Sequence, residues 1–324
     1  MIISKTINDK LGKLLGTNLF TVTEICRGGS SRRFYRVSSE KTSLILSITK
    51  DMEEFKYYVE FAGFFEKNEI PVPHFYETFE ADGAVIMYDA GRESLFDIVK
   101  KTESPDEIIR IYSRVLSLLR NFQRIDSSEC PLLESRPFDF NSLIWESSYF
   151  AEFFLCQHLG MTEIPKSVTD NFQYIAKTLS LLRHVPMHRD FQSQNILLKD
   201  GMIFFIDFQG ARKGCLFYDA ASLINDPYVD FSEDMVSGLF DIFYAMLDHD
   251  TSYEDALKLF NFASVSRLMQ ALGAYANLSL NKGKPDFAKH IPAGLRKLIA
   301  VLSKCGELSA LYDFLAHSAS LSSK

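Results

Sequence analysis

The first part of the chain alternates short apolar stretches with polar turns, a pattern that is typical of β-strands. Strands are predicted over four such stretches, at residues 20–25, 34–37, 44–49 and 85–88. One longer segment, residues 51–68, instead has its apolar side chains at helical spacing. We therefore expect residues 1–91 to form a small lobe that is built on a sheet and carries one helix.

From about Ser94 onward, apolar residues recur at the spacing of helices that pack one face on a core. One helix start is marked by a capping box that runs from Ser104 to Glu107, with Pro105 at the first helical position. Further helices are predicted near residues 145–159 and 238–247 and towards the C-terminus. Residues 92–324 are thus predicted to form a larger helical lobe, which makes the fold class α+β.

Composition limits the classes of function. The chain has 324 residues, 47% of them hydrophobic, which is enough for two packed lobes. A net charge of -7 without a long basic run argues against nucleic acid as the main partner, because phosphate backbones require clustered Lys and Arg. Five cysteines without a C-x-x-C pair predict a reduced, cytoplasmic protein. We expect no signal peptide and no membrane attachment, since no apolar run reaches about 18 residues.

The most informative segments are HRDFQSQN, which starts at His188, and IDF, which ends at Phe208. An H-R-D-x-x-x-x-N spacing followed by a strand-borne Asp is the signature of protein-kinase-like phosphotransferases. In that signature the first Asp, here Asp190, accepts the proton of the acceptor hydroxyl. The Asn and the second Asp, here Asn195 and Asp207, hold the metal. The motif predicts ATP and Mg²⁺ as cofactors and a bilobal protein-kinase-like fold. The alternative is that Asp190 only caps a turn and Asp207 only ends a strand.

The residues between the two segments predict a β-hairpin, with strands over 196–198 and 202–206 and a tight turn at 199–201. Antiparallel pairing of these strands would make Asn195 a neighbour of Asp207. An amide oxygen beside a carboxylate suits Mg²⁺, which takes few protein ligands and keeps room for phosphate oxygens.

A glycine-rich segment between two predicted strands is the candidate phosphate-covering loop. It contains Gly28, Gly29, Ser30 and Ser31. Glycines let backbone N–H groups approach phosphate oxygens closely, and serine hydroxyls add donors. The alternative is a Gly-Gly hairpin turn without a ligand.

Kinase-like folds usually carry a Lys on the next strand, which pairs with the nucleotide phosphates and with a helix Glu. Here Ser47 stands where that Lys is expected, and Lys50 follows three residues later. Lys50 is either the phosphate-binding cation or an ordinary solvated residue. Three residues of the preceding strand are the other candidate cations: Arg32, Arg33 and Arg36.

Two further contacts of the nucleotide are expected from the same lobe. Glu54 and Glu60, on the predicted helix, are the candidates for the carboxylate that orients the cation, and the sequence does not choose between them. Backbone atoms near Met87 are expected to contact the base, which leaves the preference for ATP or GTP open.

The chain resembles the aminoglycoside-phosphotransferase-like superfamily, and within it the anomeric sugar kinases of bacterial cell-wall recycling. The resemblance rests on GGSSRRFYRV from Gly28, HRDFQSQN from His188, IDFQGAR from Ile206, FYDAASLIND from Phe217 and LGAYANLSLNKGKPDFAKHIP from Leu272. Those kinases phosphorylate the anomeric hydroxyl of N-acetylmuramic acid and N-acetylglucosamine with ATP. The resemblance implies that Asp190 is the base and that Asn195 and Asp207 bind Mg²⁺.

The resemblance also implies that Asp219 buttresses the catalytic loop, to which His188 and Arg189 belong. The alternative for Asp219, which does not exclude the first, is a plain N-cap of a helix that starts at Ala220.

A neutral sugar is the expected small-molecule partner. Gln192, Gln194 and Gln209 surround the predicted base with amides, which donate and accept hydrogen bonds and suit hydroxyl and N-acetyl groups better than a polycation. Arg189 and Arg212 are candidates for binding the lactyl carboxylate of N-acetylmuramic acid, although a structural role for Arg189 is an equal alternative.

Two other interpretations of the function stay open. One is a kinase for another small alcohol, such as an aminoglycoside, choline or a different sugar. The other is a regulatory module that binds nucleotide or sugar without catalysis.

Overall fold

A computed structural model of the protein describes residues 4–25, 32–248 and 251–322. By its internal contacts the chain divides into two compact units. The N-terminal unit comprises Met1–Ser94 and Ile196–Gly210, and the C-terminal unit comprises Leu95–Asn195 and Ala211–Lys324. The first is built on strands and the second mainly on helices, which confirms the α+β class. The lobe limits at 1–91 and 92–324 stay a prediction.

The described strands, in chain order, are β1 (Thr21–Ile25), β2 (Arg33–Ser38), β3 (Ser43–Ile48), β4 (Phe75–Phe79), β5 (Ala84–Tyr88), β6 (Glu93–Ser94), β7 (His184–Met187), β8 (Ile196–Lys199), β9 (Met202–Phe205) and β10 (Arg212–Cys215). The described α-helices are α1 (Lys5–Leu15), α2 (Met52–Lys67), α3 (Leu95–Lys101), α4 (Pro105–Arg124), α5 (Pro131–Glu134), α6 (Phe140–Phe150), α7 (Lys166–Ser180), α8 (Tyr218–Ile224), α9 (Glu233–Ala245), α10 (Tyr253–Asn281), α11 (Ile291–Leu302) and α12 (Ser309–Ser322). Helix α6 continues directly into a π-helix over Ala151–His158.

The core of the N-terminal unit is an antiparallel sheet with the strand order β1-β2-β3-β5-β4. Helix α1 buries Ile7 and Leu11 against Val37 and Leu46 of the sheet. Helix α2 begins at an Asp51 cap, whose carboxylate accepts the first free N–H groups of the helix. The apolar contacts of α1 fix that helix on the sheet.

The predicted hairpin is confirmed as β8 and β9, which pair from Ile196 with Phe205 to Lys199 with Met202. Asp200 and Gly201 form its turn with φ angles of 52° and 76°. Two consecutive positive φ values are typical of a type I′ turn, whose twist matches that of the flanking strands.

The C-terminal unit is organised around helix α10, which is 29 residues long and packs against α6, α8 and α11. The predicted capping box is confirmed, since the hydroxyl of Ser104 accepts the N–H of Glu107 at the start of α4. Strands β7 and β10 pair antiparallel, with Met187 opposite Arg212. Strand β7 ends directly before His188, so this small sheet supports the HRD segment.

In the part of the chain that the structure describes, no helix combines the length and apolarity needed to cross a bilayer.

A buried ion pair joins strand β2 to the end of β5 in the N-terminal unit. Arg36 donates from Nε and Nη2 to the two oxygens of Asp89, at 2.7 and 3.0 Å. Ser43 donates to the same carboxylate at 2.6 Å, and the N–H of Gly91 at 3.0 Å. Burial alone would raise the pKa of Asp89, but the hydrogen bonds from Arg36 and Ser43 outweigh it and hold this pKa below its ordinary value.

We expect Asp89→Asn to lower the free energy of unfolding by about 3 kcal/mol, because it leaves a buried guanidinium without its counter-charge. The measurement is urea unfolding at neutral pH, with the exposed Asp82→Asn as a control that should leave the midpoint unchanged. Because the pKa of Asp89 is lowered by folding, its contribution is present above the ordinary carboxyl pKa and is lost as the pH falls through the lowered value. Equal stability of Asp89→Asn and the wild type would contradict this role.

Candidate active site

The HRD segment turns out of strand β7 around a buried carboxylate. Asp219 accepts the backbone N–H of His188 at 2.6 Å and that of Arg189 at 2.9 Å. Asp219 lies in the first turn of α8, which begins at Tyr218 with Phe217 as its N-cap, so the alternative N-cap role of Asp219 is wrong. Burial raises the pKa of Asp219 to about 7, against the effect of the two backbone N–H donors.

The backbone of the segment is strained at one residue. Among the described residues, four that are not glycine have positive φ angles: Glu69, Arg189, Asp200 and Asp207. Arg189 has a φ of 75°, a conformation that costs a side-chain-bearing residue energy and persists only where its surroundings enforce it. The hydrogen bond from its N–H to Asp219 supplies that constraint directly before Asp190.

A second buried carboxylate holds the far end of the segment. Asp226, at the end of the FYDAASLIND stretch, accepts the N–H of Ser193 at 2.8 Å and its hydroxyl at 2.5 Å. It also accepts the N–H of Tyr228 at 2.9 Å. Asp226 is not among the predicted site residues, although its buried position next to Asn225 marks it as a structural acid.

Asp190 and Asn195 are tied together through the backbone. The side-chain nitrogen of Asn195 donates to the carbonyl oxygen of Asp190 at 2.9 Å, and the N–H of Gln192 donates to the same oxygen at 3.0 Å. The bond from Asn195 uses its nitrogen and therefore leaves the amide oxygen as the acceptor. The side chain of Asp190 is 38% exposed, as a residue that acts on a substrate must be.

Arg267 of helix α10 faces the Asp190 carboxylate and is not predicted from the sequence. Its Nη2 lies 3.9 Å from Oδ1 of Asp190 and donates to Oε1 of Gln192 at 3.2 Å. Its Nε donates to the hydroxyl of Ser222 at 3.0 Å. Burial alone would lower the pKa of Arg267, but Tyr218 and Asp190 raise it above its ordinary value, so the guanidinium stays charged. A single Arg in an otherwise apolar stretch of a long helix is the signal that marks it.

The side chain of Arg189 is engaged with a buried acid. Its Nη2 lies 3.6 Å from Oε1 of Glu146, whose other oxygen accepts the hydroxyl of Tyr218 at 2.7 Å. Burial raises the pKa of Glu146, and the charge of Arg189 opposes this shift. This contact favours the structural role of Arg189 over a role in binding a carboxylate of the substrate.

In the N-terminal unit, Asp207 is the centre of a charged group. Arg32 donates from Nη2 to Oδ1 of Asp207 at 2.6 Å, and its Nε lies 3.2 Å from Oε1 of Glu54. Gln209 donates to the same oxygen of Asp207 at 3.1 Å. Asp207 itself has a φ of 66°. Burial raises the pKa of Glu54, and the charge of Arg32 opposes this shift.

The aromatic residue after Asp207 explains how that group is held. The ring of Phe208 lies 5.0 Å from the ring of Tyr58 and 5.7 Å from that of Phe65, both on helix α2. Glu54 precedes Tyr58 by about one turn of the same helix. Helix α2 thus fixes Phe208 through aromatic contacts and presents Glu54 to Arg32.

The structure separates the other basic candidates from this group. Arg33 pairs with the exposed Glu24, and Arg36 pairs with Asp89. Lys50 is exposed at the end of β3, and Glu60 lies about two turns beyond Glu54 on α2. Of the candidate pairs, Arg32 and Glu54 are therefore the cation and the carboxylate that meet.

The remaining predicted residues lie in different places. Met87 is buried in β5, where its sulfur accepts the hydroxyl of Tyr58 at 3.3 Å. Gln194 is half-buried in the short turn before Asn195, and Arg212 is half-buried at the start of β10. The predicted phosphate-covering residues lie outside the described residues: Gly28, Gly29, Ser30 and Ser31.

Comparison with known proteins gives three findings of note. The family model for APH, the phosphotransferase enzyme family, matches residues 21–252 of this chain. The N-acetylmuramate/N-acetylglucosamine kinase of Pseudomonas aeruginosa is 25% identical over 89% of this chain and 85% of its own length. The kinase of the same name from Neisseria meningitidis serogroup B is 25% identical over 91% of this chain and 90% of its own length.

Among solved structures, the streptomycin–ATP ternary complex of APH(2″)-IIa is similar to this chain with a TM-score of 0.63 and 14% identity. The similarity covers 90% of this chain and 99% of that protein. It confirms the bilobal protein-kinase-like α+β fold.

We expect Asp219→Asn to lower kcat about 100-fold while leaving the KM for nucleotide nearly unchanged, because an amide accepts at only one atom and releases the strained turn before Asp190. Steady-state kinetics test this, with the exposed Asp234→Asn as the matched control. An unaltered kcat in a folded Asp219→Asn protein would remove Asp219 from the positioning of the segment.

Proposed function

The chain belongs to the phosphotransferase enzyme family, and we propose that it transfers the γ-phosphoryl group of ATP to the anomeric hydroxyl of N-acetylmuramic acid or N-acetylglucosamine. That it is a phosphotransferase for a small-molecule sugar or alcohol follows from the family. The choice of acceptor is supported by the names of the two kinases that align over about nine tenths of the chain.

The observation that carries the proposal is the partly exposed Asp190 carboxylate beside the buried guanidinium of Arg267. The carboxylate orients the acceptor hydroxyl and accepts its proton as the bond to phosphorus forms. Because Arg267 also holds Gln192, the base and the nearest amide are oriented by the same group. An amide beside the base donates and accepts hydrogen bonds, as the hydroxyl and acetamido groups of an amino sugar require.

Aromatic surfaces in the C-terminal unit support a sugar acceptor. Tyr228 packs edge to face on Tyr275 at 5.8 Å and on His290 at 4.7 Å. Burial raises the pKa of Tyr228, and Asp190 is among the acids close enough to raise it further. Rings that combine an apolar face with a polar edge suit the C–H face and the hydroxyls of a sugar. Gln194 and Arg212 stay candidates for further contacts with the acceptor.

The residues assigned to metal and nucleotide have the chemistry that these groups require. Asn195 and Asp207 offer oxygen atoms, the ligands that Mg²⁺ prefers, and when bound Mg²⁺ would neutralise charge on the phosphates. The Gly28–Ser31 segment is assigned to the phosphates, and Gln209 orients the carboxylate of Asp207. The pair of Arg32 and Glu54 takes the part of the strand Lys and helix Glu of other kinases.

The test is ADP release from Mg-ATP with N-acetylmuramic acid, N-acetylglucosamine, glucose, choline and kanamycin offered separately. We expect turnover with one or both N-acetylated amino sugars and a product phosphate that is stable to alkali and labile to acid, as an anomeric phosphate is. Asp190→Asn should abolish turnover while ATP still binds, because the amide cannot accept the proton. Turnover with choline or kanamycin alone would show that this compound, and not an amino sugar, is the acceptor. ATP binding without turnover on any acceptor would favour a regulatory module.

A second experiment separates the candidate phosphate-binding cations. We expect Arg32→Ala to weaken ATP binding about tenfold or more, because a charge-assisted contact and the partner of Asp207 are lost together. The exposed Lys50→Ala should bind ATP as the wild type does. Titration calorimetry with Mg-ATP decides between them, and the reverse ranking of the two variants would assign the cation to Lys50.

A further inference from the structure

A charged cavity of about 470 Å³ lies in the C-terminal unit along strand β7. Arg120 and Arg124 of α4 line it together with Arg183, Lys213 and Asp248. Three residues of β7 complete this part of the lining: His184, Val185 and Pro186. The lining contains no residue of the HRD segment and neither Asp219 nor Arg267, so it is distinct from the group around Asp190.

The arginines outnumber the carboxylates that line this arginine cavity. Two guanidinium groups face the carboxylate of Asp248: Arg124 donates to it at 2.8 Å, and Arg120 lies 3.8 Å away. The hydrogen bond and charge of Arg124, then the charges of Arg120 and Arg183, lower the pKa of Asp248 below its ordinary value. Arg183 is the third arginine of the lining.

Lys213 and Asp126 are further charged residues of the lining. Lys213 donates to both oxygens of Glu134, at 2.7 and 2.9 Å, so these two charges cancel. The carboxylate of Asp126 accepts the N–H of Ser128 at 3.0 Å as the cap of a short turn and keeps its negative charge. Three arginines thus stand against two carboxylates, Asp248 and Asp126, which leaves one positive charge in excess.

Arg120 is held in this position by the fold. It is 4% exposed, and its Nη1 donates to Oε1 of Gln123 at 2.8 Å. Burial lowers the pKa of Arg120, and the charge of Arg124 lowers it further. Holding like charges together at a buried position costs free energy, which a bound anion would return.

We propose that the arginine cavity is a binding site for a phosphate group, either free or carried by a small molecule. The lining has an excess of positive charge, and planar guanidinium groups bind phosphate oxygens in pairs. The volume is many times the roughly 30 Å³ of a water molecule, so it also admits an organic group attached to the phosphate.

The test is titration calorimetry of the full chain with inorganic phosphate and, separately, with glycerol phosphate. A non-hydrolysable ATP analogue is kept at saturation so that phosphate does not bind in place of the nucleotide. We expect Arg124→Ala combined with Arg183→Ala to weaken phosphate binding about tenfold or more. Arg110→Ala, on the same helix but 73% exposed in its side chain and outside the lining, should bind as the wild type does.

Asp248→Asn is expected to change phosphate affinity in the opposite direction from the double variant. It therefore tests the proposal even if the double variant folds poorly. Removing the competing carboxylate should tighten phosphate binding several-fold, since Asp248 is the acid that Arg124 and Arg120 face. Tighter binding of glycerol phosphate than of inorganic phosphate would identify a phosphorylated small molecule as the ligand, and the reverse would identify free phosphate. No binding to the wild type at millimolar phosphate, or equal binding to the wild type and both cavity variants, would overturn the site.

Discussion

The arrangement of the C-terminal site depends on one interaction, the acceptance of two consecutive backbone N–H groups by the Asp219 carboxylate. A buried carboxylate is costly, and the two hydrogen bonds offset part of that cost. In return they hold Arg189 at a positive φ, which turns the chain sharply out of β7. The buried carboxylate of Asp226 accepts the backbone N–H of Ser193 in the same way. Two buried acids therefore fix both ends of the segment, and the partly exposed Asp190 lies between them.

In the N-terminal unit, aromatic packing stabilises a second residue with a strained backbone. Asp207 also has a positive φ, and Phe208 beside it is fixed by the rings of α2. The same helix presents Glu54, and the buried Arg32 joins this acid to Asp207. A sheet without a Lys on β3 thus still delivers one cation and one orienting carboxylate to Asp207. The strained residue directly precedes Asp190 in the C-terminal unit and is Asp207 itself in the N-terminal unit, and in both units neighbouring contacts stabilise the strain.

Local signals in the sequence predicted most of the fold. The Asp200-Gly201 turn, the capping box at Ser104 and four strands of the N-terminal sheet were predictable because each depends on neighbours in sequence. Helix α1 and strand β4 were not predicted: α1 is short and packs on strands that come later in the chain, and β4 is short and has no buried residue. Contacts over long separations were equally hidden. Arg267 meets Asp190 only through the packing of α10, and the choice of Arg32 with Glu54 is made by the packing of α2 against Phe208.

The arginines of the C-terminal unit show that residue type does not decide function, whereas the surrounding acceptors do. Arg267 is buried among Ser222, Gln192 and the Asp190 carboxylate, so its donors are used within the protein and its charge faces a single carboxylate. Arg120 is equally buried, but it shares the carboxylate of Asp248 with Arg124. The first arrangement is complete as it stands and faces the carboxylate that we propose as the base. The second keeps an excess of positive charge, which an anion from outside would balance.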